Sequence, residues 1–303
     1  MSDGIVCERE AMTTQTLLDS AKALAVKGDA AQAVKLLSPV AIQLGLEGDR
    51  ESLAEVHHIF GLAEAGRENW RFAIASFRRA AHMTPNPSKR LRYTRWLAYS
   101  HQMLDNLSGA MRYDRYNLLL ARKIGDADAE RRVLLSLAFD GLRKNNYWLA
   151  VKDFQNVLRL AAVAGDAEAC FNAHANLAYA YNMLGFHRQA VAHCGEAQKY
   201  PVPSGERAYM LTEMVIALAE TGDVGEATKK LQALKRLTPA RQHGLYKAML
   251  DKAEGILQKK RGHAEEAVEL LLRSADAYRQ NGYPERHDET LAQAVNLRGG
   301  IQK

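Results

Sequence analysis

A chain of 303 residues that is 47 % hydrophobic and 25 % charged has the makeup of a soluble folded protein, and no apolar run approaches the length of a membrane span. Lys and Arg outnumber Asp and Glu by 41 to 35, a net charge of +6 that favours an acidic partner without dictating nucleic acid. Three cysteines exclude a disulfide framework, and the opening MSDGIVCEREAMTTQ has no basic-then-apolar leader pattern, so a reducing, cytoplasmic setting is expected.

Residues 1–13 are polar and expected to be loose. A helical pattern starts near Thr14 (TLLDSAKALAVKG), breaks at Gly28 and resumes in DAAQAVKLL, with Ala33 early in its second half. The same order of events then recurs along the chain. Glu68 precedes Ala73 in WRFAIASF, Asp105 precedes Ala110 in LSGAMRYD, and Asn145 precedes Ala150 in YWLAVKDF. Gly185 precedes Ala190 in FHRQAVAHC, Gly222 precedes Ala227 in VGEATKKL, and Gly262 precedes Ala267 in HAEEAVELL. The alanines are 40, 37, 40, 40, 37 and 40 residues apart, a period that marks seven structural repeats over residues 14–282.

Each repeat reads as helix A, a short turn and helix B. Five residues before each alanine stands a residue suited to left-handed backbone, with Glu68 as the exception. Four residues after it stands an apolar contact, Leu37, Phe77, Phe154, Cys194, Leu231 or Leu271, except that the third repeat has Asp114. Twelve residues before it lie the small residues Gly61, Ala98, Ala138 and Ala178, and Val215, expected to let helix A approach helix B. Between repeats, EGDRESL, IGDADAE and AGDAEAC place Gly48, Gly125 and Gly165 to end one helix and Asp49, Asp126 and Asp166 to cap the next. After Gly282 and Pro284, residues 283–297 are expected to form a capping helix whose apolar side holds Leu291, Ala294 and Val295, followed by a loose tail at 298–303.

The segments SLAFDGLRKNNYWLAVKDF (136–154), NLAYAYNMLGFHRQAVAHC (176–194) and LAETGDVGEATKKL (218–231) resemble the tetratricopeptide repeat (TPR) family. The 37- to 40-residue units exceed the usual period of about 34 residues and are similar to the longer-helix subclass of peptide-binding scaffolds and bacterial peptide-sensing regulators. The resemblance implies an all-α fold: an α-solenoid of about seven stacked TPR hairpins in a right-handed superhelix, closed by the C-terminal helix, with A helices lining the groove. For a sensor module it also implies that an output activity would lie on another chain or outside residues 1–303, because the residues flanking the repeats are too few for a DNA-binding or catalytic segment.

The family pattern places groove residues on the A helices. In the third repeat these are Arg92, Arg95, Tyr99, Gln102 and Met103; in the fourth, Arg132, Leu135, Phe139, Leu142 and Arg143. The fifth supplies Asn172, Ala175, Tyr179, Asn182 and Met183, and the seventh supplies Met249, Lys252, Gly255, Lys259 and Lys260. Arginines can clamp carboxylates, aromatic rings offer large contacts at low entropy cost, and asparagines can pair with a peptide backbone. The expected ligand is an acidic, partly hydrophobic peptide or helix of a partner protein, held by a non-catalytic scaffolding or regulatory module. The lysine–asparagine carboxylate grip of the chaperone-docking branch is not reproduced at Arg95/Tyr99, Leu135/Phe139 or Ala175/Tyr179.

Other chemistries fit the sequence less well. There is no phosphate loop, no HExxH and no paired acid/base carboxylates, so no catalytic residue and no cofactor is expected. Cys170 and His174 share a helix face near His187, His193 and Cys194, yet Cys194 fills a repeat position otherwise held by Phe or Leu, so a buried thiol is favoured over a metal ligand. Arg78, Arg79, Lys89, Arg90, Arg92 and Arg95 leave RNA or DNA phosphates as the alternative, less favoured partner. Self-association through an end or a convex ridge is compatible with the pattern, although no residue fixes it.

Overall fold

The computed structural model describes residues 13–202, 204–237 and 244–301. The expectation of a loose start at residues 1–13 falls almost wholly outside them. The described residues form fifteen α-helices: α1 (Thr14–Val26), α2 (Ala30–Glu47), α3 (Arg50–Gly66), α4 (Trp70–Met83), α5 (Pro87–Met103), α6 (Leu107–Ile124), α7 (Ala127–Arg143), α8 (Tyr147–Ala164), α9 (Ala167–Met183), α10 (His187–Ala197), α11 (Ser204–Thr221), α12 (Val224–Leu237), α13 (Leu245–Lys260), α14 (Ala264–Gln280) and α15 (Pro284–Ile301). The seven expected hairpins are therefore α1/α2 through α13/α14, and α15 follows as an unpaired fifteenth helix. It continues past residue 297, where a tail was expected, to Ile301. The fold is an all-α solenoid built as two compact units, residues 1–133 and 134–303, with α7 running across the boundary.

The turn chemistry explains how one short phrase makes a hairpin. All seven residues five before the repeat alanine have positive φ: Gly28, Gly185, Gly222 and Gly262 at 77–90°, and Glu68, Asp105 and Asn145 at 54–60°. Glu68, which lacks the expected residue chemistry, is thus held in the same left-handed conformation. A side chain there costs roughly 1–2 kcal/mol by crowding the carbonyl, partly offset by the entropy that glycine loses on folding. Glu68→Gly is therefore expected to raise stability by up to about 1 kcal/mol, measurable as a shift in the urea midpoint.

Among the described residues, two kinds of interrepeat joint are seen. At Gly48, Gly125 and Gly165 the chain turns left-handed, with φ of 75°, 73° and 68°, and the next aspartate caps a helix. Asp49 Oδ1 accepts from Ser52 N at 3.0 Å, Asp126 Oδ1 from Ala129 N at 2.8 Å and Asp166 Oδ1 from Ala169 N at 2.9 Å. The joints after α4 and α10 explain the 37-residue intervals. Helix B is shorter there, 14 residues in α4 and 11 in α10 against 18 in α2, α6 and α8. Each is followed by proline, at Pro85 and Pro201, which forces the preceding residue out of helical geometry; Thr84 is extended at φ −80°, ψ 128°. Helix α4 is shorter by about one turn and α10 by about two, and the longer connection from α10 to α11 restores part of that loss, so each interval shortens without changing the hairpin.

Packing follows the small-residue positions. All five expected A-helix positions are buried. Their partner is the apolar residue one turn beyond the repeat alanine: a Cβ added to Gly61 would lie 2.4 Å from the Phe77 ring, and one on Gly255 would lie 3.0 Å from Leu271. Gly255, expected in the groove, is therefore an interior contact of its hairpin. Gly61→Ala is expected to destabilise the first unit by about 1–3 kcal/mol despite alanine's better helix propensity, as read by thermal or urea unfolding. Asp114 shows how the third repeat tolerates its irregularity. It is buried, Asn117 Nδ2 donates to its Oδ1 at 3.5 Å, and Thr94 Oγ1 donates to Asn117 Oδ1 at 2.5 Å. A small polar network replaces the usual apolar contact.

His58 lies buried in the first unit between Phe77 and Tyr93, with ring centroids 5.6 and 4.7 Å away, and its Nδ1 has no hydrogen-bond partner. Burial, reinforced by the charges of Arg92 and Lys22, pushes its pKa from 6.5 to about 3. The native ring stays neutral while the unfolded ring binds a proton below pH 6.5. Stability from this site is full above that pH and falls as the pH drops toward 3. By pH 5 the loss from His58 alone is about 2 kcal/mol, and His58→Leu is expected to flatten that slope in urea titrations at pH 7 and pH 5.

Candidate peptide-binding site

In the first unit, α5 presents Arg92, Arg95, Trp96 and Tyr99 around a shallow depression of about 350 Å³. Proline at the first position of α5 and the Asn86 cap, whose Oδ1 accepts from Ser88 N and Lys89 N, fix where the helix starts and so which side chains share this face. Trp96 stacks on Phe77 at 5.5 Å, and Tyr99 stands edge-on to both Trp70 and Trp96 at 5.7 Å, so its ring is held rigidly while remaining exposed. Arg92 pairs with Glu55, which also accepts from Tyr93 Oη at 2.6 Å. Arg95 is half-buried. Burial, followed by the Arg132 guanidinium, lowers its pKa, against the opposing pull of Asp114, Asp126 and Asp128. Arg132 pairs with Asp128 one turn back on its own helix, and Gln102 is half-buried near the end of α5.

The second unit brings together more of the expected residues. Phe139, Leu142, Arg143, Tyr179 and Met249 line one cleft of about 560 Å³. Phe139 is propped edge-on against Phe154 at 5.5 Å. The other walls are Asn176, Tyr209, Leu245 and the segment Gly282–Arg286 at the start of α15. The sequence alone gives this segment only a capping role, whereas in the fold its polar residues Glu285 and Arg286 line the cleft.

Beside the cleft lies a buried charge cluster. Glu289 of α15 accepts from Lys252 Nζ at 2.5 Å and from Tyr179 Oη at 3.0 Å. Arg286 sits over the rings of Tyr179, Tyr209 and Tyr278 at 4.4, 5.0 and 5.9 Å, and donates to Tyr209 Oη at 3.2 Å. Its Nη1 approaches Glu213 Oε1 at 3.6 Å. Asn182 Nδ2 donates to the Glu213 side chain at 3.1 Å, and Arg143 Nε donates to Glu285 Oε1 at 3.2 Å. Lys252 and Glu213 are only 2 % and 1 % exposed, and Tyr179 is 6 % exposed. Two of the side chains expected to greet a ligand, Tyr179 and Lys252, therefore already hold α15.

The electrostatics of the cluster are set by pairing. Burial alone would raise the pKa of Glu289, but the charge and hydrogen bond of Lys252, with Arg286 and Tyr179, bring it below the usual carboxylate value. Burial would likewise lower Lys252, and Glu289, Tyr278 and Glu213 outweigh it to raise its pKa. Glu289, Lys252 and Arg286 therefore all keep their charges at neutral pH, and the buried Glu213 side chain completes the cluster opposite Arg286.

The remaining expected positions lie elsewhere. Asn172 is half-buried and its carbonyl accepts from Asn176 Nδ2, while Lys259 pairs with Glu220 at 3.3 Å, as Lys260 does at 2.7 Å. On α15, Ala294 is buried and Leu291 half-buried, but Val295, expected on the same apolar side, is 59 % exposed. The helix seats Arg286 and Glu289 inward at its first turns, which rotates Val295 outward. Cys194 is fully buried in the core, and burial raises its thiol pKa. His174 Nδ1 lies 3.0 Å from His193 Nδ1. Among the described residues, no group of three His, Cys, Asp or Glu side chains is arranged to hold a metal, and no helix is long and apolar enough to cross a membrane.

Comparison with solved structures identifies the fold. The chain matches the apo form of RapI with a TM-score of 0.60 and 15 % identity, over 82 % of this chain and 98 % of that one. It matches NprR in complex with its cognate peptide NprX at 0.56 and 16 % identity, over 94 % and 83 %. It also matches a signal-transduction ATPase with numerous domains and a tetratricopeptide repeat sensor from Pyrococcus horikoshii, at 0.61 and 17 % identity, over 93 % of this chain and 41 % of that one. No family profile and no curated protein sequence matches the chain. The fold is that of the TPR-type helical-repeat solenoids, as the resemblance in the sequence implies.

Proposed function

We propose that this protein is a non-catalytic, peptide-binding regulatory module that holds an acidic, partly hydrophobic segment of a partner against the A helices. The observation that carries the reading is the cleft of the second unit, where Arg143 stands among Phe139, Tyr179, Tyr209 and Met249. Such a site offers one guanidinium for a carboxylate and a large apolar, aromatic surface for neighbouring side chains. The α5 depression, with Arg95 beside Tyr99, offers the same chemistry in the first unit. The solenoid fold shared with NprR, whose structure holds a peptide, supports the reading by analogy.

A phosphate-binding role has less support. Of the basic run at 89–95, Lys89 is paired with Glu51 at 2.7 Å and Arg92 with Glu55, so part of its charge is already neutralised. The test is binding of a labelled acidic–hydrophobic peptide set, measured by fluorescence anisotropy against the same peptides with lysine in place of each acid. Preferential binding of the acidic set supports the proposal, and equal binding of both sets refutes it.

A further inference from the structure

The site just proposed already contains a ligand of this chemistry, contributed by the chain itself. Glu285 reaches Arg143 across 142 positions of sequence, and Glu289 reaches Tyr179 across 110. These are an arginine and a tyrosine assigned to the ligand surface from the sequence alone. Between the two acids, Arg286 inserts into three tyrosine rings and faces Glu213. The first turns of α15 thus present an acid, a cation at the next position, and a second acid one helical turn after the first, each against a complementary group.

We infer that the second unit's groove recognises a helical segment of a partner carrying this acid–cation–x–x–acid pattern, and that α15 occupies the groove as a displaceable internal copy of it. The inference rests on the peptide-binding reading above and sharpens it. An exclusively acidic ligand would satisfy Arg143 and Lys252 but would leave Glu213 buried against more negative charge, so the partner must bring an arginine or lysine as well.

Three features favour displacement over a permanent seal. Arg286 Nη1 and Glu213 Oε1 face each other at 3.6 Å without a hydrogen bond, and Tyr278 Oη and Thr290 Oγ1 are likewise buried without one. A contact with unmet donors and acceptors is weaker than its burial suggests. The outer pair, Arg143 with Glu285, remains partly exposed, with side chains 35 % and 41 % accessible, and gives an incoming carboxylate a place to start. The open cleft beside it leads directly to the start of α15 through Tyr283, Pro284 and Glu285.

The probe is a fluorescein-labelled synthetic peptide of residues 283–300, added to the full-length protein. In Glu285→Gln/Glu289→Gln the internal copy is weakened, and the peptide is expected to bind at least tenfold more tightly than to the unaltered protein. Amide exchange over residues 285–300 should accelerate while that of α13 stays slow. Glu285→Gln alone, at the partly exposed pair, should give a smaller change in the same direction and serves if the double variant loses its helical circular dichroism. A peptide with both glutamates replaced by glutamine should bind neither protein. If α15 exchanges faster in the variants and the 283–300 peptide still fails to bind, the inference is wrong. If an unrelated acidic–hydrophobic peptide binds the unaltered protein and the variants equally, self-occupancy is wrong and the peptide-binding reading stands. If no peptide binds any of the proteins once α15 is open, both fall.

Discussion

Replacing Lys252 by methionine is expected to lower the unfolding free energy by about 3–5 kcal/mol, one of the largest single-site effects in the chain. The ammonium is buried and ends 2.5 Å from Glu289. Methionine fills much the same volume, so the loss is not a cavity effect. It arises because Glu289 stays buried with its principal countercharge gone. Two controls separate this cause from general disruption. Lys252→Met/Glu289→Leu, which removes both charges, should recover most of the loss, giving a strongly non-additive cycle. The penalty of the single variant should also shrink as the pH falls, because burial without Lys252 raises the pKa of the orphaned carboxyl and lets it take a proton. In the unaltered protein the sign is opposite: the pKa of Glu289 is lowered in the fold, so its contribution is present above the ordinary carboxylate value and lost as the pH falls through the folded one. Denaturant unfolding at pH 7 and pH 4 checks both statements.

Charge reversal at the proposed ligand surface is expected to abolish peptide binding, with a loss of at least about 100-fold, or roughly 2.7 kcal/mol, for Arg143→Glu. Reversal replaces attraction of an incoming carboxylate by repulsion and places a negative charge beside Glu285, so it should also loosen the start of α15. Arg95→Glu and Arg132→Glu test the first unit separately, and the triple variant should leave far-ultraviolet circular dichroism unchanged, because all three arginines keep partly or fully exposed positions on helix faces. Unchanged affinity in the triple variant would refute the proposed ligand surface in both units.

The repeat was legible because it is written in backbone chemistry. Left-handed turns at Gly28, Gly185, Gly222 and Gly262, caps at Asp49, Asp126 and Asp166, and small residues such as Gly61 are local requirements that a single sequence displays directly. Even Glu68 took the expected conformation without the expected residue, since the hairpin around it leaves no other. The site was legible only in part. Phe139, Arg143 and Tyr179 were placed by their positions within repeats, but the groups that meet them, Glu285, Arg286 and Glu289, lie outside the repeats. No periodicity relates PERHDE to residues more than a hundred positions away. In the sequence only the apolar spacing of a cap is visible there, and only the fold shows Arg286 and Glu289 turned inward.

That long-range contact also changes how the second unit should come apart. A stack of hairpins in which each touches only its neighbours loses its ends first and melts piecemeal. Glu285 on Arg143 and Glu289 on Tyr179 fasten the last helix to α7 and α9, so neither end of that unit is a true end. The second unit is therefore expected to unfold more cooperatively than an open stack of hairpins. Whatever lifts α15 from its seat does more than vacate a groove: it returns a closed circuit to an open string, whose outermost hairpins are then free to fray.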